Sequence, residues 1–281
     1  MKIIILGSQG MLGFDLVRVA QDLGHTVYSF PKTLIDISEP QQILEHIEPL
    51  LPVDFLINCA AFTHVDLCES QAETAFSINC LAVQFLATLA QVKNIPFIHF
   101  STDYVFPGEG SAPYNETMPC EPINVYGASK LEGERAIESL PPHYYIFRLQ
   151  WLYGDQGAHF VRTILNLAKD QSSVQIVNDQ WGSPSWTYDI ARCLLSFLEK
   201  KPPYGIYHLT NQGYTTWYDF AHYIFQELGL SCQIEPIQTP DMERPAPRPL
   251  NCRLDTQKFL SVQSSPPLSW QESISEFLRI R

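Results

Sequence analysis

Tyr126-Gly127-Ala128-Ser129-Lys130 sets a phenol and an ammonium four residues apart. On a helix, positions i and i+4 share a face, so both groups can enter one cleft. A free tyrosine titrates near pH ~10 and exchanges protons poorly at neutral pH. A neighbouring cation favours the phenolate and draws that pKa down. Lys130 is placed to supply the charge, and its three donors can also hold ribose hydroxyls. Upstream, Ser101-Thr102-Asp103 offers hydroxyls that can hydrogen-bond a substrate oxygen. Thr102, Tyr126 and Lys130 together suit reduction of a carbonyl, with hydride from a cofactor, Tyr126 protonating the developing alkoxide and Thr102 assisting. General acid catalysis of this kind contributes about 10²–10⁴-fold. A YxxxK spacing is common by chance, and here its position after a glycine turn and a Ser-Thr-Asp strand end gives it weight.

That turn is Gly7-Ser8-Gln9-Gly10-Met11-Leu12-Gly13, a GxxGxxG pattern that follows an apolar strand and opens a helix. Gly7, Gly10 and Gly13 permit a tight turn and close approach of backbone to a pyrophosphate. The helix N-terminus adds unpaired N–H groups and a favourable dipole. Asn58-Cys59-Ala60-Ala61-Phe62 ends a later strand. Its small residues let a ribose or nicotinamide lie against the chain, as ligands do at strand ends of open sheets.

These groups need alternating strands and helices to carry them. Apolar, β-branched runs predict strands at 2–6, 26–30, 54–58, 96–101 and 144–149, and helical spacing predicts helices at 11–23, 40–50, 72–93 and from about Tyr126. Near-continuous apolar strands alternating with helices imply a parallel sheet covered on both faces. Right-handed crossovers make it doubly wound. Residues 103–124 form a Pro/Gly-rich loop, long enough to suggest function. Beyond it, helices are expected at 159–169, 187–199, 217–228 and 270–278, the last with Ser269 and Glu272 as a capping box. Strands are expected at 174–177, 205–209 and 233–237. The reading is an α/β fold, a doubly wound parallel sheet (Rossmann fold) with a smaller C-terminal substrate lobe. Residues 1–150 would form the dinucleotide-binding domain, and 151–281 mainly the substrate lobe, interleaved with the end of the sheet.

The 281 residues carry a formal net charge of −12. Broad nucleic-acid binding needs a basic face and is not expected. No apolar run approaches the roughly 18 residues of a bilayer span, and the apolar start Ile3-Ile4-Ile5-Leu6 is too short for a signal segment. Seven scattered cysteines without a CxxC pair read as reduced thiols in the cytoplasm. No HxxxH or HExxH spacing supports a zinc site.

In combination, several stretches resemble the dTDP-4-dehydrorhamnose reductase family of extended short-chain dehydrogenases/reductases. They are Asn58-Cys59-Ala60-Ala61-Phe62-Thr63-His64-Val65-Asp66, Ser101-Thr102-Asp103-Tyr104-Val105-Phe106, Asn124-Val125-Tyr126-Gly127-Ala128-Ser129-Lys130, Phe147-Arg148-Leu149-Gln150-Trp151-Leu152-Tyr153-Gly154 and Asn178-Asp179-Gln180-Trp181-Gly182-Ser183-Pro184. Shorter matches at Tyr207-His208-Leu209, Thr216-Trp217-Tyr218-Asp219, Arg248-Pro249 and Cys252-Arg253-Leu254 extend the resemblance over nearly the whole chain. It implies reduction of dTDP-4-dehydro-β-L-rhamnose, or a close nucleotide-linked keto-sugar, with NADPH or NADH. Thr102, Tyr126 and Lys130 match the family's catalytic residues. Thr102 and Asp103 would also touch the sugar, and Trp151 would rest its indole against the hexose. Gly10, Met11, Leu12, Asp36, Ile37, Ala60 and Ala61 match cofactor-contacting positions. Some members of the family carry Mg2+ at an acidic subunit interface, which no metal spacing in this sequence supports independently. A homodimer is compatible with the resemblance, and the sequence does not specify one.

The chain departs from the family in places. Phe30-Pro31-Lys32 stands where many relatives end the second strand with an acid, Cys59 and Phe62 replace smaller or more polar residues, and Gln150 stands where serine is usual. Arg244, Arg248 and Arg253 either hold a nucleotide diphosphate or anchor their own Pro-rich loop. Two other activities compete. A non-catalytic subunit like the regulatory subunit of methionine adenosyltransferase would keep the fold and the cofactor, but the intact Thr102, Tyr126 and Lys130 favour an enzyme. An epimerase or dehydratase is the other; a dehydratase typically needs an acidic pair beside the catalytic hydroxyl, whereas Asp103 is followed by Tyr104.

Overall fold

The apolar run Ile3-Ile4-Ile5-Leu6 is fully buried, and its residues divide between two cores. Ile3 and Ile5 face one, Ile4 and Leu6 the other, as strand alternation requires. A strand apolar on both faces needs helices on both sides, and the computed structural model, which describes residues 1–263 and 265–280, supplies them. The first elements are β1 (Lys2–Leu6), α1 (Met11–Asp22), β2 (Thr26–Phe30), α2 (Pro40–Ile47), β3 (Phe55–Asn58) and α3 (Val65–Ser70). Next come α4 (Ala72–Phe76), α5 (Ala82–Val92), β4 (Phe97–Thr102), α6 (Val125–Glu138) and β5 (Tyr144–Leu149). In the second half are β6 (Leu152–Tyr153), α7 (Phe160–Asp170), β7 (Ser173–Val177), β8 (Trp181–Gly182), β9 (Ser185–Trp186) and α8 (Thr187–Lys200). The chain ends with β10 (Gly205–His208), β11 (Thr215–Thr216), α9 (Trp217–Leu228), β12 (Gln233–Ile237), α10 (Gln257–Val262) and α11 (Trp270–Arg279).

The main sheet has six strands in the order β10-β5-β4-β3-β1-β2, every pair parallel. From β1 the chain goes one way to β2, then returns to build β3, β4 and β5 on the other side. That reversal opens a crevice at the carboxyl ends of β1 and β3, where open α/β sheets bind ligands. The short pairs β6·β9, β7·β12 and β8·β11 lie outside this sheet. They surround an aromatic core that includes Tyr153, Trp186, Phe220, Trp270 and Phe277.

The helix expected at 72–93 is interrupted by a π turn, Ser77–Leu81, between α4 and α5. Within it the fully buried Asn79 accepts from the Phe62 N–H at 2.8 Å and donates to the Phe62 carbonyl at 3.0 Å and to Ser129 Oγ at 3.0 Å. One side chain thereby fixes the loop after β3 against α6. The stretch Ala72–Val92 is long and apolar enough to cross a bilayer by length and composition, yet Val83, Leu86 and Ala90 are buried in the core beneath the sheet. The 103–124 loop is anchored too. Tyr114 stacks on Phe106 at 4.4 Å and exchanges backbone hydrogen bonds with Arg253 and Asp255.

Candidate active site

The glycine turn ends β1. Gly7 has φ +72° and approaches Ala60 so closely that a Cβ would stand 2.7 Å from the Ala60 nitrogen. A Cβ on Gly13 would collide with the Gly7 carbonyl. The Gly10 N–H closes the turn on the Gly7 carbonyl at 2.9 Å. Gly10 caps α1 without a side-chain hydrogen bond, so the first-turn N–H groups stay open to a ligand. Gly10, Met11 and Leu12 form one wall of a cleft of about 460 Å³, and Ala60 and Ala61 line it as well. Gly7 and Gly13 shape the turn from behind.

Thr102, Asp103, Tyr126 and Lys130 line the same cleft. β4 delivers Thr102 at its end. α6 begins one residue before Tyr126, capped by Asn124, whose side chain accepts from the Gly127 N–H at 2.8 Å. Thr102 Oγ1 donates to Asp103 Oδ1 at 2.9 Å. Burial raises the Asp103 carboxyl to about 6, against the hydrogen bonds from Cys252 and Thr102. Burial also raises the Tyr126 phenol, the Asp103 charge adds to the rise, and a hydrogen bond with Thr102 opposes it. The sequence argument expected Lys130 to lower this pKa. Lys130 is not among the groups that shift it, and depth in the cleft outweighs any pull toward phenolate.

Lys130 is 1% exposed. Its ammonium donates to the Phe100 carbonyl at 2.7 Å and meets His99 Nε2 at 2.9 Å. Burial pushes the amine down to about 8, with Glu134 opposing. Burial, and then the Lys130 charge, hold His99 well below the ordinary imidazole range, so the ring is neutral. Asn58 Nδ2 lies 3.3 Å from the other ring nitrogen, and Asn58 Oδ1 accepts from the Ala60 N–H. The lysine is thus tied through His99 and Asn58 to the loop that forms the opposite wall. Sequence reasoning missed His99. The signal was a histidine inside the otherwise apolar strand Phe97-Ile98-His99-Phe100, on the same face as Ser101.

Trp151 follows β5 and also lines the cleft. Its φ of +47° lies in the left-handed region, a conformation that costs a large residue about 1–3 kcal/mol. Its indole stacks on Trp217 at 3.6 Å, with ring planes 13° apart. One indole face is therefore taken, and a sugar has at most the other. Trp217, at the start of α9, is a cleft residue that the sequence reading did not select.

Other candidates lie apart. Asp36 and Ile37 are not in the wall of the cleft. The Asp36 carboxylate accepts from the Ser38 N–H and hydroxyl and pairs with Lys32 at 3.7 Å, while Ile37 is buried in the core. Arg248 pairs with Asp66 at 2.9 Å, and Arg253 lies over the Trp181 ring at 4.3 Å. Both anchor their own loop. Arg244 lies with Arg248 beside a separate hollow of about 160 Å³. Among the described residues of this one chain no group of three His, Cys, Asp or Glu side chains could hold a metal ion, and no step below depends on one.

One cleft that joins a dinucleotide turn to a tyrosine and a buried lysine has the design of an extended short-chain dehydrogenase/reductase. The chain belongs to the family described as RmlD substrate binding domain, whose model matches residues 1–280. It is 36% identical over 292 residues to the dTDP-4-dehydrorhamnose reductase of Escherichia coli K12, covering 99% of this chain and 97% of that one. It is 34% identical over 280 residues to the spore coat polysaccharide biosynthesis protein SpsK of Bacillus subtilis, covering 100% and 98%. Among solved structures, the dTDP-4-dehydrorhamnose reductase of Bacillus anthracis in complex with NADP superposes with a TM-score of 0.95, at 32% identity and full coverage of both chains.

Proposed function

We propose that this chain reduces the 4-keto group of a nucleotide-linked deoxysugar, dTDP-4-dehydro-β-L-rhamnose to dTDP-L-rhamnose, with NADPH. The observation that carries the reading is the convergence of Thr102, Asp103, Tyr126 and Lys130 on the cleft that the glycine turn opens. The relatives' names and the NADP complex of the Bacillus anthracis protein support it. Residues 1–150 would bind the dinucleotide, and 151–281 would form most of the substrate lobe while returning β10 to the sheet. Free cysteines at all seven positions suit a cytoplasmic setting.

When bound, the reduced nicotinamide supplies the hydride. Gly10, Met11 and Leu12 would hold the pyrophosphate on the N-terminus of α1. Ala60 and Ala61 leave backbone open beside it. Lys130, fixed by Phe100 and His99, would reach the ribose hydroxyls. Tyr126 is the acid. Burial and the Asp103 charge keep its phenol protonated, the form that a developing alkoxide needs. Thr102 can accept from the phenol while it donates to Asp103, or turn its one proton from Asp103 to the substrate oxygen.

The test is spectrophotometric. Oxidation of NADPH should follow addition of the dTDP-linked 4-keto-6-deoxysugar. No oxidation with any nucleotide 4-keto-sugar would overturn the reading in favour of a cofactor-binding subunit without catalysis.

A further inference from the structure

The cleft contains a buried amide with nothing to bind. Gln150 is 2% exposed, and neither its Nε2 nor its Oε1 has a hydrogen-bond partner. Buried side-chain polar atoms are nearly always paired, so an amide free at both ends needs a reason. The sheet register shows where it sits. Ser101 lies beside Arg148 and Thr102 beside Leu149, so Gln150 continues the row one step past the end of β5, between the candidate catalytic strand end and Trp151. It lines the cleft with both. Ser101 Oγ, 6% exposed and in the same wall, is also unpartnered. Room for the amide comes from Gly182, where a Cβ would stand 2.8 Å from Gln150 Oε1.

The chemistry of the group limits the ligand. A phosphate would use donors alone and leave Oε1 unpaired. An apolar ring would use neither atom. A hydroxyl donates and accepts, and adjacent hydroxyls on a hexose present both functions side by side. We infer that Gln150 is a specificity-determining residue whose amide binds the ring hydroxyls of the hexose next to the reacting carbonyl. This rests on the reductase reading above.

The experiment compares the nucleotide 4-keto-6-deoxyhexose with its 2-deoxy and 3-deoxy analogues. Sites built to bind a hydroxyl reject analogues that lack it. The wild-type protein should favour the hydroxylated sugar over at least one analogue by about tenfold or more in kcat/KM, equivalent to about 1.4 kcal/mol. Gln150→Leu should carry that ratio toward one, chiefly through KM, with NADPH affinity unchanged. Gln150→Ser, which is polar but too short to reach, should do the same and decides the matter if the leucine variant fails to fold. Wild-type protein that does not distinguish the analogues overturns the inference, and so do variants that keep the wild-type ratio. A loss of NADPH affinity with sugar discrimination intact also overturns it and assigns the amide to the cofactor. In each of these outcomes the reductase reading survives. Only wild-type protein inert toward every nucleotide 4-keto-sugar removes both.

Discussion

Tyr126 and Lys130 were legible because a helix puts i and i+4 on one face, and spacing alone reveals that. Their electrostatics were not legible, because sequence carries no depth. Tyr126 has a raised pKa, set first by burial and then by Asp103. That suits the proposed role of Tyr126 as the acid, which would enter the reaction protonated. Tyr126→Phe keeps the ring and removes the proton; turnover should fall by at least about 10²-fold while NADPH binding, measured by fluorescence titration, stays near wild type. Asp103 gives the pH dependence. Its folded carboxyl titrates at about 6, above the unfolded value near ~3.9. Between those values the folded state holds the extra proton, so this group stabilises the fold at low pH and loses that contribution as pH rises through the window. Activity should run the other way, because the ionised carboxylate is the better acceptor for Thr102 and so holds its hydroxyl at the end of β4, while Tyr126 stays protonated throughout. A kcat/KM profile should climb through an inflection near pH 6 that disappears in Asp103→Asn. Persistence of the inflection in that variant would assign it to another group.

The strands of the first half were readable as elements because each is short, apolar and β-branched. The π turn at Ser77–Leu81 was not, because the 72–93 run keeps helical apolar spacing through it. What creates the turn is the pairing of Asn79 with both backbone groups of Phe62, a contact across 17 positions of chain. Asn79→Leu should strip those partners and cost about 2 kcal/mol or more in urea unfolding, since each unpaired buried polar group costs about 1–3 kcal/mol. Cofactor affinity should drop with stability, because the Phe62 loop continues from Ala60 and Ala61. A variant as stable as wild type would mean that the turn forms without this side chain. The helices α3 and α10, six residues each, escaped notice because fewer than two turns show no period. The two-residue strands β6, β8, β9 and β11 have no alternation to read.

At the scale of the molecule, the doubly wound sheet followed from the alternation of elements, but the cleft did not, because its walls come from the turn into α1, the ends of β3, β4 and β5, α6 and the start of α9. Cofactor choice also belongs to this scale. No acid ends β2. Lys32, at the start of the following loop, is 76% exposed in its side chain and lies 3.7 Å from Asp36. An exposed ion pair is worth about 0–1 kcal/mol, less than the 1.4 kcal/mol of a tenfold preference. NADPH should therefore be preferred modestly over NADH, and Lys32→Ala should narrow the preference by less than about tenfold in kcat/KM. A wide margin for NADH would mean that Asp36 holds the ribose instead. Trp151 comes from the end of the sheet and Trp217 from a helix 66 positions later, yet their rings lie parallel and nearly in van der Waals contact. Two indoles that close share their electronic excitation. The cleft thus carries its own optical label, a coupled circular-dichroism band absent from isolated tryptophans, whose sign and strength change whenever the two halves of the chain shift against each other or a ligand parts the rings.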